Sequence, residues 1–144
     1  MRKILLGVLL VFTMGCATLN NNTMDWIATG PEFSPTKPED VELLSNSKEI
    51  KRAYGNIGML RINNLRPETD SLKMGIEKGR KFLAAKGANA AVLGQYNTAS
   101  EGAANPRVMI VMFGIKYMDT LNEQDLKAMK DFEVIGMLNE NEAN

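Results

Sequence analysis

The sequence predicts an α+β fold. It is a two-layer domain, a mainly antiparallel sheet of about four strands carrying one principal helix (71–86) and a short C-terminal helix. Three observations lead there. Leu72, Ile76, Gly79 and Leu83 recur along one narrow stripe at helical spacing. Val108 to Ile115 forms an apolar run that suits a strand covered on both faces. Two further apolar stretches, 57–62 and 90–96, are bounded by turn formers: Asn63, Asn64 and Pro67 in one case, Gly87 in the other.

The elements follow in order. Val41 to Leu44 is a short strand candidate, and Lys48 to Tyr54 is polar enough for a loop or one helical turn. Ile57 to Ile62 reads as the next strand. Asp70 or Ser71 is placed to cap the principal helix, because a short side-chain oxygen there accepts from the free N–H groups of the first turn. Gly79 weakens that helix by roughly 1 kcal/mol relative to alanine, and it lets the helix backbone approach a sheet. Gly87 stands where a left-handed cap ends the helix. Ala90 to Tyr96 and Arg107 to Tyr117 are strands joined by a small, polar loop, 97–106. One face of the last strand is covered by the 71–86 helix; the other needs the C-terminal segment, the tether or a second subunit, so a homodimer is open. Asn122 to Lys130 carries acidic residues early and lysines late, as a helix does. Phe132 to Leu138 is another apolar run, and it echoes Tyr54 to Leu60 in the pattern aromatic-x-x-Ile-Gly-Met-Leu. Residues 139–144 are polar and expected to fray.

The N-terminus has a different character. Arg2 and Lys3 precede the apolar run Ile4 to Phe12, which has the length of a signal-peptide core, about 7–15 residues. A membrane-spanning helix needs about 20. Gly15 and then Cys16, the only cysteine, follow. Residues 1–15 are therefore expected to be a signal peptide, 16–40 a lipid-bearing cysteine and a tether, 41–138 the domain, and 139–144 a tail. The tether expectation rests on Asn20 to Thr23, Gly30-Pro31 and Pro35 to Pro38, which compete with regular structure. Trp26, Ile27 and Phe33 interrupt it and either dock on the domain or sit at lipid headgroups.

Composition narrows the chemistry. Two of the 17 basic residues lie in the signal, leaving 15 against 17 acidic ones. No basic run points to nucleic acid. The chain has no histidine, which removes the commonest general base and the imidazole-activated nucleophiles. The single thiol leaves nothing for a disulfide or for cysteine-ligated zinc. No enzymatic activity and no cofactor are expected. The methionines, Met109, Met112 and Met118 among them, read as core filler; Met109 and Met112 point to opposite faces of a strand and form no thioether cluster. Gly75, Gly79 and Gly87 fit no phosphate-binding fingerprint, since they lie within or after a helix rather than before one.

Thr13-Met14-Gly15-Cys16 resembles the lipobox of bacterial lipoproteins, with threonine where that family prefers leucine. The resemblance implies cleavage before Cys16 and acylation of its thiol and freed amine. Two or more chains anchor a protein stably, whereas one does so only marginally. Ala17, being other than aspartate, implies by the same resemblance the outer membrane, with the domain in the periplasm. The stretch Ser34 to Val41 and the turn Gly87-Ala88-Asn89-Ala90 are similar in layout to a loose group of small envelope lipoproteins, among them the lipoprotein sensor of the Rcs envelope-stress pathway. This chain lacks the cysteines that form disulfides in that sensor, and no functional residue is carried over. The expectation is a non-enzymatic lipoprotein of the cell envelope that binds or positions another envelope protein; the alternative is a periplasmic module for a small ligand or metal. The 97–106 loop, with Asn97, Ser100, Glu101 and Asn105, is the candidate partner surface, being longer than usual hairpin connections.

Overall fold

The computed structural model describes residues 23–94, 97–99 and 104–131. The expected signal peptide, Cys16, Ser100, Glu101, the 132–138 run and the tail lie outside these residues. Among the described residues six strands form one sheet: β1 (Met24–Ala28), β2 (Glu42–Leu44), β3 (Tyr54–Leu65), β4 (Ala90–Leu93), β5 (Asn97–Ala99) and β6 (Arg107–Tyr117). The helix α1 (Thr69–Ala85) lies between β3 and β4, and a second helix, α2, covers 123–131. The strand order is β1-β3-β6-β4-β2, with β5 paired to the start of β6. Every pairing is antiparallel except β2 with β4, so the sheet is mixed.

The predicted stripe of α1 meets the sheet. Leu83 packs with Leu60, Ile62 and Leu65 of β3 and Val108, Ile110 and Met112 of β6. Gly79 explains the close approach: a Cβ there would collide with Met112 Sδ and stand 2.8 Å from Ile62 Cδ1. α1 ends as the sequence predicts. Gly87 has φ +85°, its N–H donates to the Ala84 carbonyl, and the Ala88 N–H donates to that of Leu83. These are the two bonds of a Schellman cap. Asn89, next in the turn, locks it to the sheet: its Oδ1 accepts from the Tyr117 N–H at 3.0 Å and from Thr120 Oγ1 at 2.7 Å. The expected N-cap is different. Glu68 occupies that position without a side-chain bond. Ser71 Oγ instead accepts from the Arg66 N–H at 3.2 Å, which ties the turn before the helix.

Residues 24–40, read in the sequence as part of a tether, contribute to the fold. β1 pairs along β3 from Met24 to Ala28. Trp26 packs on the Phe82 ring at 5.6 Å, and Phe33 is buried. The last carbonyls of a helix need donors, and this segment supplies them to α1. The Phe33 N–H donates to the Lys86 carbonyl and the Thr36 N–H to that of Ala84, while Thr36 Oγ1 donates to the Ala88 carbonyl at 2.6 Å. Arg80 of α1 reciprocates, its Nε donating to the Val41 carbonyl at 3.0 Å.

α2 opens with a reciprocal cap. The Asp125 N–H donates to Asn122 Oδ1 at 2.8 Å, and the Asn122 N–H donates to Asp125 Oδ2 at 3.3 Å. This is the capping-box arrangement with a shorter acid at the third position. Leu121 and Met129 pack against the main core.

Candidate functional site

The two ends of the sheet differ in chemistry. At the near end β3 finishes, α1 begins, β6 starts and the chain enters β1. Arg66, Glu68, Asn105 and Arg107 line a polar hollow there of about 280 Å3, with Pro67 and Pro106 as its rigid corners. The turn before α1 and the turn before β6 form its two walls. β3 and β6 are paired at Leu65 and Val108, which fixes the separation of those turns. The hollow offers two guanidinium groups, one carboxylate and one amide to a polar partner. Asn105, singled out from the sequence, is exposed and lines it. Asn97 pairs with Met109 in the β5–β6 ladder, three residues from Ser100 in sequence. The structure thus assigns Asn105 to the hollow and Asn97 to the sheet; Ser100 and Glu101 lie outside the described residues.

The far end holds what the sequence reading passed over. Lys116 and Asp125 are almost fully buried, and Lys116 Nζ stands 3.5 Å from Asp125 Oδ2. Asp125 Oδ1 also accepts from the Ser34 N–H at 2.9 Å, so one carboxylate joins β6, α2 and the N-terminal segment. Burial pushes the Asp125 carboxyl up, but the Ser34 and Asn122 donors and Lys116 outweigh it, and its pKa lies below the ordinary value. Lys116 stands 5.2 Å from the Phe33 ring centre, within cation–π range. A cavity of about 190 Å3 adjoins it, lined by Phe33, Ile57, Met118 and Met129. One signal was present in the sequence: Lys116 interrupts the most apolar strand, and Asp125 falls on the apolar side of its helix between Leu121 and Met129.

A second polar group sits at the same end on the opposite face of the sheet. Tyr117 Oη donates to Glu42 Oε2 at 2.7 Å, and Arg52 lies 4.1 Å over the Tyr117 ring. Arg52 Nε donates to Asp119 Oδ2 at 3.0 Å, which holds the Asp119 carboxyl below its usual range. Burial and the Glu42 bond push the Tyr117 phenol up to about 12.

That face divides in two. Leu44 and Ile50 cover Ala90, Val92, Ile115 and Tyr117. Among the described residues nothing covers the other half, where Ile27 is 42% and Phe113 37% exposed. Hollows of about 350 and 280 Å3 flank Phe113 and share Asn56. Among the described residues no group of three acidic, cysteine or histidine side chains is arranged to hold a metal ion, and no helix is long and apolar enough to cross a membrane.

No protein-family model matches this chain, and no curated protein does. One solved structure is similar, the crystal structure of a Francisella virulence factor, FvfA, in its orthorhombic form. It shares 17% identity over 65% of this chain and 96% of that one, with a TM-score of 0.48. That likeness is too loose to bear on function.

Proposed function

We propose that this protein is a non-enzymatic envelope lipoprotein, anchored through acyl groups on Cys16, that positions a partner held at the same membrane. The observation that carries the reading is a coincidence of ends. The chain enters β1 at the near end, where the Arg66–Asn105–Arg107 hollow also lies. Only residues 17–23 separate Cys16 from β1. Fully extended, seven residues reach at most about 25 Å. Once Cys16 is acylated, the near end stays close to the bilayer surface. β6 is eleven residues long, so the far end lies roughly 36 Å from the near end along the strand. A partner met by the near-end hollow is therefore one that lies in or on that membrane, and the two arginines suit an acidic or carbonyl-rich surface on it.

The test places a photo-activatable cross-linker at Asn105 and, separately, at Arg52 on the far end, in chains with Cys16 or Cys16→Ser. The reading expects a discrete protein adduct from Asn105 that disappears with Cys16→Ser, and none from Arg52. Equal adducts from both ends, or an Asn105 adduct that survives loss of the anchor, would overturn it.

A further inference from the structure

We infer that the far-end cavity is a binding site for a small uncharged molecule, mostly apolar and built on one ring, that carries a single acceptor oxygen. The site is separate from the near-end hollow and rests neither on the lipid anchor nor on a protein partner.

The lining sets the size and the apolar character. The segment that leaves β1, the start of β3, the end of β6 and α2 converge on the cavity. Phe33 and Ile57 contribute buried walls. Met118 and Met129 contribute two half-buried ones. Methionine is unbranched and polarisable, so it adapts to a guest and makes favourable contacts with aromatic rings. The cavity holds about 190 Å3. An apolar cavity of about 150 Å3 takes benzene. There is space here for a six-membered ring with about three further heavy atoms.

Lys116 sets the polar requirement. It lines the cavity, and its side chain is only 4% exposed. An ammonium carries three N–H donors. Asp125 Oδ2 stands 3.5 Å from Nζ, beyond the roughly 2.7–2.9 Å of a close charge-assisted bond. The Asp125 oxygens accept from the Ser34 and Asn122 amides. The Phe33 ring meets the charge of Lys116 but is no substitute for an oxygen acceptor. An oxygen entering from the cavity would therefore serve a donor that Asp125 does not hold closely. Charge decides which oxygen. Lys116 and Asp125 already balance each other, so a carboxylate would bring an uncompensated negative charge into a site shielded from water. A carbonyl needs only the donor.

The test uses three probes on the full chain carrying Cys16→Ser: acetophenone, its hydrocarbon isostere α-methylstyrene, and benzoate. The readout is the methyl resonances of 13C-labelled methionine, with Met118 and Met129 assigned by replacement with leucine. Acetophenone is expected to shift Met118 and Met129 saturably and to leave Met74, exposed on α1, unmoved. It is expected to bind roughly tenfold more tightly than α-methylstyrene, the worth of one bond from a charged donor, and more tightly than benzoate. Lys116→Met should abolish the advantage over α-methylstyrene. No saturable shift, or equal shifts at Met74, would overturn the site. Benzoate binding best would overturn the uncharged class. A ketone preference that survives Lys116→Met would remove Lys116 from it. Should that variant fail to fold, the parent alone decides: equal affinities for acetophenone and α-methylstyrene would overturn the inference.

Discussion

Lys116 Nζ and Asp125 Oδ2 face each other at 3.5 Å with both side chains shielded from water. The pair joins the end of β6 to the second helix. Its two members are not equally replaceable. Asp125 accepts from the Ser34 and Asn122 amides as well as meeting Lys116. Removing one partner of a buried pair typically costs about 3–5 kcal/mol. Asp125→Ala is expected to fall in that range, because it strands an ammonium and two amides together. Lys116→Met is expected to cost less, since the carboxylate keeps its amide donors. Urea unfolding of both variants gives the order; a larger loss for Lys116→Met would contradict it.

Acid should act through the same carboxylate. Its pKa is depressed in the folded protein, so its stabilising contribution is complete above the ordinary aspartate value of 3.8 and is lost as pH falls through the folded value. Unfolding measured from pH 6 downward should show a shallower decline for Asp125→Asn than for the parent. Parallel curves would remove Asp125 from the account.

The alkaline extreme should act through Tyr117. Tyr117 ionises at about 12 in the folded state, against 10.0 ordinarily, because it is buried and hydrogen-bonded to Glu42. The folded state thus holds that proton more tightly, and stability falls as pH rises from about 10 to 12. The Tyr117 phenol, read as the difference between ultraviolet titrations of the parent and of Tyr117→Phe, should ionise late, and Glu42→Gln should bring it earlier. If Glu42→Gln leaves the titration unchanged, the Glu42 bond contributes nothing to the shift.

Gly79 is expected to resist any side chain. Gly79→Ala gains about 1 kcal/mol of helix propensity, but the new methyl meets Met112 and Ile62. Overpacking costs typically 1–3 kcal/mol, so a net loss in thermal stability is expected, larger still for Gly79→Leu. An unchanged melting temperature for Gly79→Leu would refute the close helix–sheet packing.

The leash from Cys16 to β1 should also be functional. Ten Gly/Ser residues inserted between Ala17 and Thr23 should leave the protein in the membrane fraction while reducing the Asn105 cross-link. An undiminished adduct would show that reach is not limiting.

Much of this fold was legible because two of its signals are local. The stripe from Leu72 to Leu83 and the apolar run of β6 depend only on neighbouring residues, and both elements appear where the spacing puts them. Gly87 was readable for the same reason. β1 was not. Met24 to Ala28 lacks a strong alternation and sits among asparagine, glycine and proline; it is a strand because β3 offers an edge and Phe82 a place for Trp26. The cap expected at Asp70 or Ser71 falls two or three residues earlier, at Glu68, and the Ser71 hydroxyl accepts from the Arg66 amide instead. Asn105 stood in a loop singled out by its length, but the residues that share its hollow could not be read from the sequence. Arg66 lies 39 positions earlier, and only the β3–β6 register brings the two turns together.

The antiparallel pairing of β1 with β3 sets how the protein bears load. Any pull transmitted from a membrane anchor arrives at Thr23 and runs along the axis of β1, away from the sheet. The ladder from Met24 to Ala28 is then strained in shear, with its bonds sharing the force rather than opening one at a time. Thr29 and Gly30, bound to the Ile57 carbonyl, form a second stop behind it. For the anchored molecule proposed above, this edge strand is the element on which mechanical attachment would depend.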